Sequence, residues 1–470
     1  MTSIPLLADG RVVVAEPGED DLVLRAPAER DALQDVAQAV RDALAYPLEA
    51  RPLEQLVRRG STATIVIEQP SLPIPSIAVG PRHTAVAAVA DELERLGVRQ
   101  TTILVAGGLL RRTTPRDIGL LVPPEFRRRF KGRVIVHDAE AEDLVELGRT
   151  GNVALRVNRA LVETDLVVTV TAAETVLHGG PAALLAASGR ESLRAAGALS
   201  LLETNASQGW RLAVELERLL AARVPVLGVS IALNAPRFTL SEPRFSRLTR
   251  TRVEARGQTA SAVFAGAPST AHTEALLRST VFKGVELAEP VDAVVIGIPP
   301  TTPWTPRERP NPVTAAYLGL GLALRLWRNM PPVAADGTAI LVHPFQRRFA
   351  RPTQDPYRAL FYDARTAQDI GAMRDAERAA VQDAAAIASY RAGRACHPLQ
   401  PFVEWSACDA AAHRLGAVVI AGCRDAHAAR QLGFVPAHGL GAALEMARGR
   451  GATRTAYLVV PPYFPLLVGT

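Results

Sequence analysis

The sequence predicts a two-domain α/β protein with mainly parallel sheets and helices on both faces. Three observations support this fold class: strand patterns alternate with helical patterns, the strand patterns are apolar without interruption, and 470 residues are too many for one ordinary core. A continuously apolar strand is typical of a parallel sheet covered on both faces. We expect an N-terminal α/β domain over residues 1–287 and a C-terminal α/β domain over residues 288–470.

The predicted elements follow this alternation. A strand pair around the turn-forming residues 18–20 opens the chain, and a helix follows over residues 29–44. Strands are predicted in the first domain over residues 63–67, 102–106, 133–136, 165–171 and 224–233. Residues 181–221 have helical spacing, and residues 234–258 are an ordered excursion rich in Pro and Arg. A second alternation runs from a strand over residues 291–296, through helices over residues 313–327 and 367–390, to a strand over residues 455–460.

Composition excludes several classes of protein. The net charge of +6 does not indicate nucleic-acid binding, because the cations are interleaved with acids and no recognition helix or aromatic-studded basic stripe is present. Three cysteines argue against a disulfide framework and favour a reducing cytoplasm. The N-terminal residues lack the features of a signal peptide, and no apolar run approaches the roughly 18–20 residues of a membrane span. We therefore expect a cytoplasmic protein that binds neither nucleic acid nor membranes.

Common catalytic motifs are missing from the sequence. There is no GxGxxG, Walker A or GxSxG segment, so nothing supports a dinucleotide site, a phosphate loop or an α/β-hydrolase. The Cys and His residues between positions 396 and 427 have no CxxC or HxxxH spacing. No metal site is predicted from these residues.

Polar residues at the ends of predicted strands are the candidate catalytic groups. His137 and Asp138 end a strand and could form an acid/base pair. Alternatively, Asp138 caps the following turn and His137 is a partly buried structural histidine. Glu174 and His178 precede a Gly-Gly turn and could approach a ligand at the strand end. The candidates are therefore His137, His178 and Glu174.

Arginines in two loops are the candidate substrate-binding groups. Arg111 and Arg112 follow the strand over residues 102–106, and Arg307 lies in a Pro-rich loop. The planar guanidinium group offers paired donors that match a carboxylate or a phosphate. Charged loop residues such as Arg307-Glu308-Arg309 are also commonly solvated, so a surface role for Arg307 stays open.

Four motifs resemble the lactate racemase family, whose enzymes use a nickel-pincer nucleotide. They occur in the family's order and at similar spacing: Val136-His137-Asp138, Leu147-Gly148-Arg149-Thr150, Val157-Asn158-Arg159 and Glu163-Thr164-Asp165-Leu166. The resemblance is clearest over residues 76–180, and beyond residue 290 it is limited to the strand over 291–296 and the segment 336–341. It implies a two-domain lactate-racemase-like fold, a ligand cleft between the domains, and racemisation or epimerisation of 2-hydroxy acids.

The family's functional positions match this chain poorly. The resemblance places Leu110 where the family has a catalytic histidine, and Ala182 where the family has the lysine that tethers the cofactor. The family's nickel-binding histidine would fall near Ala198, and its cofactor-binding Asp-x-Thr-Arg is replaced by residues 81–84. The only lysines, Lys131 and Lys283, are far from the Gly-Gly turn in sequence. The cofactor is therefore unknown, because the nickel-pincer nucleotide that the family implies lacks its attachment lysine and its nickel ligand.

Two functions follow from these observations. The first is a divergent 2-hydroxyacid racemase or epimerase, an isomerase that acts on or binds a small carboxylate. The second is a catalytically inactive homologue that serves as a binding or regulatory protein. A polar cleft would favour the enzyme, whereas apolar filling around Leu110 and Ala182 would favour the inactive homologue. A hydrolase or lyase built on residues 397–405 is a weaker third reading, and a homo-oligomer is possible.

Overall fold

The computed structural model describes residues 3–74, 80–241, 252–366 and 370–469. The strands of the first part of the chain are β1 (Ile4–Ala8), β2 (Arg11–Ala15), β3 (Leu22–Leu24), β4 (Thr62–Glu68), β5 (Gln100–Ala106), β6 (Arg133–Val136), β7 (Val145–Thr150), β8 (Val153–Val157), β9 (Leu166–Ala172), β10 (Val226–Leu233), β11 (Arg237–Ser241), β12 (Arg252–Gly257) and β13 (Ala260–Gly266). The helices are α1 (Val36–Ala45), α2 (Leu53–Leu56), α3 (Pro81–Arg95), α4 (Pro124–Arg129), α5 (Pro181–Leu185), α6 (Arg190–Ala195), α7 (Gln208–Ala221) and α8 (Pro268–Lys283).

The second part of the chain repeats the alternation. Its strands are β14 (Val285–Leu287), β15 (Val291–Gly297), β16 (Trp327–Arg328), β17 (Val333–Val342), β18 (Ala417–Ala421), β19 (Val435–Ala437), β20 (Thr455–Leu458) and β21 (Leu466–Val468). Its helices are α9 (Pro312–Ala316), α10 (Asp355–Thr366), α11 (Ile370–Gln382), α12 (Ala384–Arg391), α13 (Gln400–Ala412), α14 (Ala426–Gln431) and α15 (Leu440–Gly449). Among the described residues, none of the helices has the length and apolar character needed to cross a membrane.

Two six-stranded sheets organise the molecule. The first has the order β13-β10-β9-β4-β5-β6, and only β13 runs antiparallel to its neighbour. The second has the order β19-β18-β17-β15-β20-β3, and all its strands are parallel. Strands β4 and β9 are buried along almost their whole length, because α1 and α3 cover one face of the first sheet and α5 and α7 cover the other. The predicted α/β class with mainly parallel, doubly covered sheets is confirmed.

The N-terminal strand pair differs from the prediction. Strand β2 pairs with β1, through a two-residue turn in which Asp9 has φ +47° and Gly10 has φ +81°. An Asp-Gly pair with both φ values positive suits the twist of a β-hairpin. It is a stronger sequence signal for a hairpin turn than the Gly-Glu-Asp residues at 18–20. Strand β3 instead leaves the hairpin and pairs in parallel with β20, at the edge of the second sheet. The boundary proposed between residues 287 and 288 stays a prediction.

The predicted helix over residues 313–327 is irregular in a way that matters for the site. After α9 the chain continues as a π-helical turn over Tyr317–Leu322 and a 3₁₀ turn over Ala323–Arg325. Gly321 leaves room for the Tyr317 ring, which a Cβ at that position would overlap. Wide π-helical turns occur frequently at functional sites. Tyr317 of the π-helical turn and Arg325 of the 3₁₀ turn both line the cavity described below.

Two other predictions reach beyond the described residues. The predicted helix over residues 367–390 is two helices, α11 and α12, because Asp383 ends the first run and caps the second with its side chain. Its first three residues lie outside the described ranges. The predicted excursion at residues 234–258 contains the antiparallel pair β11–β12, and residues 242–251 lie outside the described ranges.

Candidate functional site

A cavity of about 530 Å³ lies where the carboxyl ends of β4 and β5 meet the second half of the chain. The first half contributes Glu68, Gly107 and His178 to its lining. The second half contributes residues from the loop after β15, the turns after α9, and α13, namely Trp304, Tyr317, Arg325 and Glu404. Ligand sites of open α/β sheets form at the carboxyl ends of parallel strands, so this cavity is in the expected place.

One wall of the cavity is apolar. It includes Leu109, Leu110, Ala182, Leu185 and Leu193. The two positions where the resemblance would place a catalytic histidine and a cofactor lysine, Leu110 and Ala182, thus lie on this wall. Neither side chain can bind a metal or move a proton. The lining of the same cavity also includes the polar residues Glu68, Gln69, His178 and Glu404.

The Gly-Gly turn is shaped by a histidine that the sequence did not single out. Gly179 has φ +99° and Gly180 has φ +53°, both in the region that favours glycine. A Cβ on Gly179 or on Gly180 would overlap His272 of α8. The turn and α8 therefore pack in direct contact only because both residues are glycines. His272 Nε2 lies 3.0 Å from the carbonyl oxygen of Thr175, and burial lowers its pKa to about 4. His272 therefore supports the turn as a neutral ring.

Glu174 is held in place as a carboxylate. One oxygen accepts hydrogen bonds from the backbone N–H of Ser71 at 2.7 Å and from its hydroxyl at 2.6 Å. The Arg82 Nη2 lies 2.6 Å from the other oxygen, at the distance of an ion pair although not at the angle of a hydrogen bond. Burial opposes ionisation, but Arg82 and the two bonds from Ser71 hold the pKa of Glu174 below its usual value. All these contacts are structural, so Glu174 has little freedom to exchange a proton.

Two further ionisable groups surround Glu174. Glu68 lines the cavity. Burial raises the pKa of Glu68 to about 8; the nearby charge of Glu174 adds to this rise, and Arg82 opposes it. Lys283, at the end of α8, is buried and interacts electrostatically with Glu174, and burial lowers its pKa to about 8. Lys283 is far from the Gly-Gly turn in sequence, yet α8 brings it to the same cluster. It is not among the residues that line the cavity.

His178 is the predicted catalytic residue that lies in the cavity wall beside Glu68. Its Nδ1 lies 3.0 Å from the hydroxyl of Thr175. Burial lowers its pKa to about 4, against the opposing effect of Glu174. The ring is therefore neutral at pH 7 and can donate or accept one hydrogen bond, but it cannot supply a positive charge.

His137 and Asp138 lie outside this cavity. His137 is buried, its Nε2 lies 2.9 Å from the Ser188 carbonyl oxygen, and its Nδ1 lies 3.3 Å from the Asn158 amide nitrogen. Burial lowers its pKa to about 4. Asp138 accepts a hydrogen bond from the backbone N–H of Glu140 at 3.0 Å, as a turn cap does. This geometry favours the structural interpretation of both residues over an acid/base pair.

The three predicted arginines have different surroundings. Arg112 donates to the carbonyl oxygens of His137 at 3.0 Å and Val136 at 3.1 Å, which ties it to the end of β6. Arg111 and Arg307 instead share the buried carboxylate of Asp117, at 3.0 and 3.4 Å. This group borders a smaller chamber of about 190 Å³, which shares Gln69 and Trp304 with the main cavity. Two guanidinium groups on one carboxylate leave a net positive charge beside that chamber.

Arg325 is a functional candidate that sequence reasoning missed. It lines the main cavity and is 4% exposed. Its guanidinium donates to the carbonyl oxygens of Leu199 at 3.3 Å, of Gly321 at 3.1 Å and of Ala198. These bonds use three of the five N–H groups of an arginine. Within the described part of the chain, no carboxylate lies at ion-pair distance from it. The cavity thus contains a fixed, buried cation without an anionic partner.

Glu404 on α13 is the second missed candidate. Its Oε1 accepts hydrogen bonds from the hydroxyl of Tyr357 at 2.9 Å and from the Gln400 amide at 2.9 Å. Its Oε2 is buried, and in the described ranges it has no hydrogen-bond partner. Burial raises the pKa of Glu404 to about 7, although the bonds from Gln400 and Tyr357 oppose this rise. The block at residues 397–405 was noted in the sequence, but no local pattern indicated that Glu404 faces this cavity.

Among the described residues that line the main cavity, three have a buried polar atom without a hydrogen-bond partner. These atoms are the indole Nε1 of Trp304, the amide Oε1 of Gln69 and the carboxyl Oε2 of Glu404. Buried polar atoms in folded proteins nearly always have a hydrogen-bond partner. These three atoms are therefore the donors and acceptors of the cavity residues that a bound ligand could pair with. One donor, one acceptor and one ionisable group are the means by which a site selects a small polar molecule.

The residues of this site do not fit a nickel-pincer nucleotide. The attachment lysine is replaced by Ala182, and the carbonyl oxygen of Ala198, near which the nickel-binding histidine would fall, accepts a hydrogen bond from Arg325. In the ranges that the structure describes, no three His, Cys, Asp or Glu side chains are grouped as metal ligands. Residues 81–84, at the position of the family's cofactor-binding motif, form the first turn of α3 and are not among the residues that line the cavity. At the end of β4 the cavity is lined instead by Gln69 and Ser71. A fixed guanidinium near Ala198 would also repel a metal cation.

Comparisons with known proteins agree with the fold. Residues 11–196 match the family model of the lactate racemase N-terminal domain. The apoprotein of lactate racemase from Thermoanaerobacterium thermosaccharolyticum is 15% identical with a TM-score of 0.64, over 99% of this chain and 100% of that chain. A protein from Thermotoga maritima is 10% identical with a TM-score of 0.54, over 94% of this chain and 100% of that chain. At these identities the structural similarity concerns the fold alone. No curated protein sequence matches this one.

Proposed function

We propose that this chain binds a small hydroxy-carboxylate in the cavity between its two halves. The match of residues 11–196 to the lactate racemase N-terminal domain and the similarity of the whole fold to lactate racemase support this proposal. The proposal includes no nickel-pincer chemistry, because the residues present do not fit that cofactor. It corresponds to the second of the two functions predicted from the sequence, a binding or regulatory protein. One observation carries it: the buried guanidinium of Arg325 lines the cavity, and none of the described carboxylates pairs with it.

Electrostatics explains why the ligand should be an anion. A buried charge is strongly unfavourable unless an opposite charge or several hydrogen bonds compensate for it. Three carbonyl oxygens compensate partly for Arg325, and two of its N–H groups are left to bind a ligand. Beside the smaller chamber, Arg111 and Arg307 share the single carboxylate of Asp117, so one of their two positive charges is not compensated. A ligand carboxylate is therefore favoured at either place.

The unpaired polar atoms explain why the ligand should also carry a hydroxyl group. The indole N–H of Trp304 can donate to a carboxylate or hydroxyl oxygen. The amide oxygen of Gln69 can only accept, so it requires a donor such as a hydroxyl group. A small hydroxy acid offers both kinds of partner, and a cavity of about 530 Å³ accommodates one.

A matched pair of ligands tests this proposal. Calorimetric titration with 2-hydroxy acids and sugar acids should give saturable binding, and the corresponding neutral amides should bind at least tenfold more weakly because they lack the charge. Binding should also weaken in the Arg325→Gln variant, because it removes the buried cation of the cavity, with Arg378→Gln, an exposed arginine outside the cavity, as the matched control. Equal binding of acids and amides, or no binding of any acid, would refute the proposal.

A racemase or epimerase without the pincer cofactor is the second candidate function. It is favoured by Glu404, because a group whose pKa lies near 7 suits proton transfer at neutral pH. Removal of a proton next to a carboxylate also requires a strong electron-withdrawing partner, which the neutral His178 does not supply. Incubation of each acid in D₂O and proton NMR would detect exchange at the carbon next to the carboxylate. Exchange that is lost in Glu404→Gln would favour this second function.

A further inference from the structure

We infer that Glu404 is a specificity-determining residue that binds the ligand carboxylate in its protonated form, so that an anionic ligand enters the cavity together with a proton. This inference rests on the proposed function and adds the contact and the charge state. A carboxyl group of the protein then recognises the carboxylate of the ligand, in addition to the arginines. A protonated carboxyl and a carboxylate share one proton in a short, charge-assisted hydrogen bond.

The hydrogen bonds of Glu404 determine where its proton lies. Tyr357 and Gln400 both donate to Oε1, at 2.9 Å each. These two donors occupy the lone pairs of that oxygen, so a proton on Oε1 would displace one of them. The proton therefore resides on Oε2, which has no hydrogen-bond partner among the described residues and belongs to a residue that lines the cavity. Two donors on one oxygen also fix the orientation of the carboxyl group.

The groups around Glu404 do not neutralise its negative charge. Tyr357 approaches from α10, Tyr317 from the π-helical turn and Cys396 from the segment before α13, while Cys408 lies on the same helix as Glu404. Burial raises the pKa of each of these four groups, so all are neutral at pH 7.

The charged and titratable groups elsewhere in the cavity wall are Arg325, Arg194, Glu68 and His178. None of the described cations lies at ion-pair distance from Glu404. Arg194 is paired with Glu377, and His178 is neutral. Glu68 has its pKa raised to about 8 by burial, so it is mostly uncharged at pH 7 and adds little negative charge. Burial without a counter-charge leaves Glu404 poised between its two charge states near neutral pH.

Binding of an anion shifts this balance in one direction. A ligand carboxylate repels ionised Glu404 and accepts a hydrogen bond from protonated Glu404, so the pKa of Glu404 rises in the complex. At pH 7 free Glu404 is about half protonated, and binding should therefore take up about half a proton; at pH 8 the uptake should approach one proton. The affinity should be constant well below pH 7 and fall about tenfold per pH unit above it. A neutral ligand should show neither effect.

A purely structural role would give a different result. Glu404 also links α13 to α10 through Tyr357, and this link alone would make binding independent of pH. Glu217 provides a matched control, since it is also buried and burial raises its pKa to about 7. It accepts hydrogen bonds from the backbone and hydroxyl of Ser269 at 3.0 Å each and is not among the residues that line the cavity.

The experiment has one arm without ligand and one arm with ligand. In the first, infrared difference spectra of the wild type minus Glu404→Gln are recorded from pH 5 to pH 9. The carbonyl band of a protonated carboxyl should be lost with a midpoint near pH 7. In the second, a binding hydroxy acid is titrated calorimetrically in two buffers of different ionisation enthalpy. Wild type and Glu217→Gln should take up a proton, whereas Glu404→Gln should bind the acid without uptake and with a flat pH profile.

The two arms separate the inference from the proposed function. Absence of the infrared band would overturn the inference whether or not a ligand binds. Binding without proton uptake in the wild type, or unchanged uptake in Glu404→Gln, would also overturn it. If no acid binds, the proposed function fails, and the infrared arm alone then decides whether Glu404 holds a proton.

Discussion

Replacement of Trp304 by phenylalanine should change stability and ligand affinity in ways that a merely structural tryptophan would not. Trp304 is 7% exposed, and none of the residues that the structure describes forms a hydrogen bond with its Nε1. An unpaired buried donor costs about 1–3 kcal/mol, which the phenylalanine ring would not incur. The smaller ring would enlarge the cavity by roughly 40 Å³, at a cost of about 1 kcal/mol at 24 cal/mol per Å³. The variant without ligand should therefore be as stable as the wild type or up to about 2 kcal/mol more stable.

The same change should weaken ligand binding. A hydrogen bond from the indole to a charged acceptor contributes about 1.5–3 kcal/mol, which corresponds to a loss of about 10- to 150-fold in affinity for a hydroxy acid. Denaturant unfolding at equilibrium would give the free energy of unfolding, and calorimetric titration would give the affinity. Trp405→Phe is the control, because Trp405 packs on Phe434 and is not among the residues that line the cavity.

The reasoning would be refuted by the opposite combination. If Trp304→Phe lost more than about 2 kcal/mol of stability and bound the acid as tightly as the wild type, the indole would serve packing alone. An equal loss of affinity in Trp405→Phe would show that the effect is not specific to the cavity.

Three further changes test other parts of the structure. Gly180→Ala should lower the free energy of unfolding by more than about 3 kcal/mol, because its Cβ would overlap His272. The control Gly151→Ala, at φ +57° with open space around it, should lower it by only about 1 kcal/mol. Equal losses in the two variants would contradict the packing argument. His137 has a folded pKa of about 4, below its usual 6.5, so its contribution to stability is complete above pH 6.5 and is lost as the pH falls towards 4. His137→Gln should thus reduce the acid-induced loss of stability by about 3 kcal/mol in this window, and an unchanged pH profile would disprove the assignment. Finally, protein co-expressed with pincer-synthesis enzymes should contain much less than one nickel per chain by metal analysis, and stoichiometric nickel would show that the cofactor binds through other residues.

The fold was predictable because it depends on patterns that are local in the sequence. The continuous apolar runs of β4, β5 and β9 indicated buried parallel strands, and these strands form the centre of the first sheet. The four motifs around His137 indicated the lactate racemase family, in agreement with the match over residues 11–196. The pairing of β3 was not predictable. Its partner β20 is far away in the sequence, and the three residues of β3 have no pattern that identifies that partner.

The site was less predictable than the fold, because its residues come together only in three dimensions. His178 and Glu174 follow β9, and their position at a strand end was visible in the sequence. Ser71, which locks Glu174, is 103 residues away along the chain. Arg325 follows an apolar helical run and Glu404 lies in an ordinary helix, so neither residue stands out before the chain is folded.

The position of β3 has a consequence for how the chain folds during synthesis. The backbone N–H of Thr455 bonds to the side chain of Asp21 across 434 residues, and the adjacent strands β20 and β3 pair in register. Strand β3 leaves the ribosome long before its partner β20 is made. Contacts of such large sequence separation form slowly, because a long loop must close before they contribute any stability. This edge of the second sheet should therefore form late, and a nascent chain stalled before residue 455 would expose β3 to other proteins without its partner strand.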